Sequence, residues 1–177
     1  MQSLFLWDQS AELLVPAPER DAEFFDYHSR SCFRRQYKVI LFVDADTIVI
    51  RYSGKYENVR MLCVNTPESV HPDEKQNIPM GKVAARYVQK KLLDEYGEYV
   101  DLEFEIKKLR GNYGRLLAYV FVDGKNLNLD LVRQGLSPYY TKYGKSEKYD
   151  SEFHAAKKQA WKEKLNIGEI LSLLRNI

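Results

Sequence analysis

At 177 residues, with 45% hydrophobic and 29% charged side chains, the chain has material for one core of ordinary size and too little for two, which argues against extensive disorder. The net charge of +2 is uneven: Met1 to Ser29 holds six acids against Arg20 alone, leaving +7 on the remainder, a surplus suited to a polyanionic partner. The opening apolar stretch has no basic run before it and is interrupted by Asp8, and no later stretch could span a bilayer, so a cytoplasmic, monomeric protein without a membrane partner is expected.

Residues 1–35 form an acidic extension with no clear pattern, 36–168 a folded domain and 169–177 a tail. From Gln36, "QYKVILFVD", "TIVIRYS" and "YENVRMLCVN" are β-rich runs separated by the short turns "DAD" and "SGK", which predicts three successive strands. The period changes in "PMGKVAARYVQKKLLDEY", where Met80, Val83, Ala84, Tyr87, Val88 and Leu92 share a helical stripe behind Pro79. In "YVDLEFEIKK", Val100, Leu102, Phe104 and Ile106 alternate with Asp101, Glu103, Glu105 and Lys107, predicting a strand with one wet face. "RLLAYVFVDGK" supplies a fifth strand, "LNLDLVRQG" a short helix closed by Gly135, and "SEKYDSEFHAAKKQAWKEKL" a last helix with Trp161 as a packing anchor. Five short strands with helices after the third and at the end predict an α+β, mainly β domain: a five-stranded barrel of the oligonucleotide-binding (OB-fold) type with about three helices. Cys32 and Cys63 lack metal-ligand spacing, and Cys63 is expected to be a buried thiol.

Three polar groups stand at strand boundaries: Asp44 to Thr47, Arg60 to Glu68, and Tyr113 to Arg115. Two arginines and a carboxylate converging on a cleft suit phosphodiester cleavage, because guanidinium forks bind phosphate oxygens and stay charged while a carboxylate deprotonates water. Arg60 and Arg115 are the candidate forks and Glu68 the candidate base. Asp46, Asn65 and the backbone oxygen of Thr66 offer hard ligands for a cation.

The segments "VDADTIVIRYSGKYENVRMLCVNTPESVHP", "NYGRLLAYVFVDGKNLNLDLVRQGL" and "AKKQAWKEKLNIG", in that order, resemble the staphylococcal nuclease (thermonuclease) family from about Tyr37 to Gly168. The resemblance implies a five-stranded barrel and a Ca²⁺-dependent nuclease acting on DNA and RNA. Position by position it implies phosphate-binding roles for Arg60 and Arg115, a general base at Glu68, and metal ligation by Asp46 and the Thr66 carbonyl. It also implies a nearby acid of the metal environment at Asp44 and a nucleotide-pocket tyrosine at Tyr113. Tyr140 and Tyr143 are candidates for further pocket tyrosines. Three positions depart from the pattern, Asn65 standing for a metal-bound aspartate, Ala45 for a glycine and Asn112 for a lysine, and the segment "SPYYTKYGKS" does not align cleanly. With one negative charge fewer at Asn65, weaker Ca²⁺ binding or use of Mg²⁺ or Mn²⁺ is expected. The competing class is a catalytically weak or inactive barrel that binds nucleic acid or protein; retention of Arg60, Glu68 and Arg115 favours the enzyme. His71 and the "KKLR" run from Lys107 to Arg110 are expected in solvated loops, the latter able to attract a substrate backbone.

Overall fold

The computed structural model describes residues 34–68, 79–92 and 99–166. The acidic extension up to residue 33, His71 and the 169–177 tail lie outside them. The described elements are β1 (Arg34–Asp44), β2 (Thr47–Tyr52), β3 (Lys55–Met61), α1 (Pro79–Lys90), β4 (Tyr99–Glu103), β5 (Leu116–Val122), β6 (Lys125–Asn126), α2 (Leu127–Arg133) and α3 (Asp150–Lys162).

Closure of the barrel begins with β1, long enough to serve two neighbours. Its first half pairs antiparallel with β4, Arg34 to Lys38 against Glu103 to Tyr99. Its second half pairs with β2, with register shifts between Val39 and Leu41 and between Phe42 and Asp44. Such shifts bend a strand and tighten its twist. The β2–β3 hairpin turns at Ser53 and Gly54, both at positive φ, the conformation a two-residue turn of matching twist requires. A parallel seam between Val59–Met61 of β3 and Leu116–Ala118 of β5 then joins the two ends of the sheet. The five-stranded barrel is therefore as expected, with the two-residue β6 as an addition that extends β5 through the Asp123-Gly124 turn.

Inside, Ile48, Ile50, Val59, Met61, Leu102, Leu116, Ala118 and Val120 are buried, with Leu131 and Val132 of α2 and Phe153 and Ala156 of α3 continuing the core. At the junction, Asn128 is fully buried: its Oδ1 accepts from the Val120 amide at 2.9 Å and its Nδ2 donates to the Leu62 carbonyl at 2.8 Å. This amide links helix, strand and the segment that follows β3.

Several local expectations change. β3 stops at Met61 rather than Asn65, because Cys63 adopts φ 62 and turns the chain out of the sheet. β4 stops at Glu103, and Glu103 and Glu105 are not on a wet face: they are 1% and 3% exposed. Glu103 is tolerated there because Arg34 Nε at 3.1 Å, Lys148 Nζ at 2.9 Å and the Tyr149 hydroxyl at 2.8 Å all donate to it. α3 starts at Asp150 rather than Ser146, whose buried hydroxyl instead accepts from the Tyr149 amide at 2.8 Å. Trp161 is 46% exposed, so it packs only in part. Among the described residues no helix is long and apolar enough to cross a membrane.

Candidate functional site

The segment leaving β3 carries Asn65, Thr66 and Glu68, and it is held to the barrel at its near end. The Asn65 amide donates to Ser137 Oγ at 2.8 Å and the Thr66 amide to Asp46 Oδ2 at 2.8 Å. Asp46 comes from the β1–β2 turn, where Asp44 Oδ1 accepts from the Ala45 amide at 2.8 Å and so shapes the turn that presents it. Asp46 is buried, and its other carboxylate oxygen accepts from the Thr47 hydroxyl at 3.1 Å.

Arg60, on β3, bridges these pieces. Its Nη1 lies 2.5 Å from Asp46 Oδ2 and 3.3 Å from the Asp46 carbonyl oxygen, and its Nη2 donates to Asn65 Oδ1 at 2.9 Å. One guanidinium thus binds a carboxylate and a neutral amide together, using the planar fork that lysine lacks.

Arg115 arrives from the opposite side of the seam, on the loop that precedes β5. The Gly111 amide donates to the Arg115 carbonyl at 2.9 Å, and Gly114 turns the chain at φ 75. Arg110 locks this loop: it donates to both oxygens of Glu57 on β3 at 3.0 and 2.9 Å, and to the Gly114 carbonyl at 2.6 Å. The same guanidinium holds the Glu57 carboxyl below its ordinary range. Arg110 is therefore committed to protein partners and is not the loose basic side chain that the "KKLR" run suggested. Tyr113, 84% exposed at the loop tip, lies with its ring centroid 5.8 Å from the Arg115 guanidinium carbon.

A cavity of about 370 Å³ opens between these elements, and six of the candidate residues line it: Arg60, Asn65, Tyr113, Arg115, Tyr140 and Tyr143. Tyr140 and Tyr143 meet edge to face at 5.9 Å, and the Tyr140 amide donates to the Cys63 carbonyl at 2.9 Å. Asp46 and Thr66 are not on the wall and connect to it through Arg60 and Asn65. Asp44 turns back on its own turn, and Glu68 is exposed on the segment beyond Thr66. The cavity wall also includes Lys108 of the "KKLR" run, together with Cys63 and Glu105, which sequence reasoning did not assign to a site. Their only signal was proximity to the "YGR" turn or the end of β3.

As a cation site, the donor set is hard and oxygen-rich: the Asp46 carboxylate, the Asn65 amide oxygen and the Thr66 carbonyl. Thr66 Oγ1 is buried with no hydrogen-bond partner among the described residues. Among those residues, no three His, Cys, Asp or Glu side chains converge as a metal cluster. By type these residues suit a hard divalent cation that tolerates carbonyl and amide oxygens, while in this structure Asp46 Oδ2 and Asn65 Oδ1 face Arg60.

Cys63, half-buried on this wall rather than fully buried as expected, offers a check on the cavity. Burial pushes its thiol up to about 11 from 9.0. The thiolate is the reactive form, so alkylation of the native protein is expected to be slow at about pH 8 and to accelerate only as the pH nears 11. Rapid native-state labelling at about pH 8 would contradict the packing around it. Because the folded value is raised, the associated stability is fully present below 9.0 and is lost as the pH rises through about 11.

Comparison with known proteins adds context. The family model for "Staphylococcal nuclease homologue" matches residues 58–169. The chain is 38% identical over 125 residues to Endonuclease YncB of Bacillus subtilis (strain 168), covering 71% of this chain and 57% of that protein. It is equally 38% identical over 125 residues to the SPbeta prophage-derived endonuclease YokF of the same organism, of which it covers 41%. Against a thermonuclease of Staphylococcus hyicus the identity is 38% over 131 residues, covering 74% of each chain. The chain thus spans about half the length of the two Bacillus relatives.

Proposed function

The chain belongs to the staphylococcal nuclease homologue family, and from that premise we propose that it is a metal-dependent phosphodiesterase cleaving DNA, RNA or both. The observation that carries this reading is the convergence of Arg60 and Arg115 on one cavity, with three tyrosines around it. The names of the relatives, endonuclease and thermonuclease, support it.

In this reading the two guanidinium forks hold the scissile phosphate and stabilise the charge that accumulates on its oxygens in the transition state. Glu68 takes a proton from the attacking water as its oxygen bonds to phosphorus, and the bond to the leaving sugar oxygen breaks in line. The exposed rings of Tyr113 and Tyr143 give bases flat faces to stack on, which tolerates many sequences. Ca²⁺, or Mg²⁺ or Mn²⁺ in its place, held by Asp46, Asn65 and the Thr66 carbonyl with Asp44 behind them, would polarise the phosphoryl group.

The test is release of acid-soluble nucleotides from single-stranded and duplex substrates, with Ca²⁺, Mg²⁺ and Mn²⁺ titrated separately. Cleavage that requires one of these cations is expected. Tight nucleic-acid binding with no cleavage under any of them would mark a binding module instead. Asn65→Asp is expected to tighten cation binding about tenfold by calorimetry, through the added charge. Its gain in rate is expected to be smaller, because Arg60 Nη2 already donates to Asn65 Oδ1 and a carboxylate there grips the arginine harder. Unchanged cation affinity in Asn65→Asp would remove Asn65 from the ligand set.

A further inference from the structure

Helix α1 approaches the candidate site at Gly81. A Cβ on Gly81 would lie 2.2 Å from the Glu68 carbonyl oxygen, 2.6 Å from its carbonyl carbon and 2.8 Å from the Pro67 oxygen. All three are backbone atoms, so no rotamer change relieves the contact. Gly81 is buried near the start of a 12-residue helix, where glycine is a poorer helix former than alanine, and it does not have the positive φ that would call for glycine. What the position requires is space.

We infer that Gly81 is a positioning residue for Glu68: its missing side chain lets α1 seat directly on the Pro67 and Glu68 carbonyls, and that seating sets where the Glu68 carboxylate stands. The inference rests on Glu68 being the base of the proposed reaction. The near end of the same segment has separate anchors, Ser137 on the Asn65 amide and Asp46 on the Thr66 amide. A methyl group at position 81 therefore displaces Pro67 and Glu68, at the exposed end, and leaves Asn65, Thr66 and Arg60 in place.

The test is Gly81→Ala, made in the full chain with Glu68 intact and again with Glu68→Gln. With Glu68 intact, kcat is expected to fall about ten- to a hundredfold, the scale of a displacement of about 1 Å in a reacting group. KM and the cation concentration for half-maximal rate are expected to change less than about twofold, because the groups that bind phosphate and cation do not move. In the Glu68→Gln background the same substitution is expected to cost nothing more, since the group it displaces is already disabled. Circular dichroism and melting curves run alongside. An unchanged kcat, an equal loss in both backgrounds, or a Gly81→Ala chain that does not fold would each overturn the positioning role, the last by making Gly81 a core-packing residue. A parent protein that cleaves nothing under any cation would instead overturn the proposed reaction.

Discussion

Glu68→Gln is expected to lower kcat on a single-stranded substrate about 10²- to 10⁴-fold, the usual worth of a general base. The substitution keeps size and hydrogen-bonding capacity and removes the ability to accept a proton at neutral pH. Glu68 is exposed, and substitutions at exposed positions cost little stability, so the melting temperature is expected to stay within a few degrees of the parent's. Substrate affinity should hold or rise slightly, because a negative charge beside the phosphate is gone while Arg60 and Arg115 remain on the cavity wall. Single-turnover kinetics with saturating cation separate these quantities. A variant retaining more than about a third of the parental rate would exclude Glu68 as the base, since loss of a base costs far more.

Arg60→Ala is expected to cost both rate and stability, through different partners. On the substrate side it removes one of two forks, a loss of about 10²- to 10³-fold in kcat. On the protein side it strands Asp46, which is buried and lies 2.5 Å from Arg60 Nη1. Leaving such a carboxylate without its cation costs on the order of 3 kcal/mol. The two losses separate in a second variant: Arg60→Met combined with Asp46→Asn removes both charges and is expected to regain much of the stability with none of the activity. Denaturant titration of the three proteins measures the first effect and single-turnover cleavage the second. If Arg60→Ala unfolds at the parental midpoint, the Arg60–Asp46 pair contributes nothing to stability.

Most strands and helices were readable because each advertises itself within its own window: β-rich runs bounded by turns in β1 to β3 and β5, and a helical stripe in α1. What a window cannot contain was missed. Glu103 and Glu105 look solvent-facing beside Asp101 and Lys107, but the donors that make Glu103 tolerable stand 45 to 69 positions away. Arg60 looks like a phosphate ligand waiting for substrate, and nothing in "VRMLCVN" shows that its fork already closes on Asp46 and Asn65. The hold of Ser137 on Asn65 and the contact of Gly81 with Glu68 are equally silent, since each depends on two elements meeting in space. The candidate residues could be named by resemblance, position by position; their mutual contacts could not.

The parallel seam that closes the barrel consists of only three residue pairs, and Arg60 is the middle one on its side while Arg115 stands next to the first on the other. The distance between the two guanidinium groups is thus a property of ring closure. A fluctuation that unzips this seam and opens the Arg110–Glu57 pair parts the arginines while the other four ladders of the barrel can stay paired, so the site is expected to open more often than the fold that carries it.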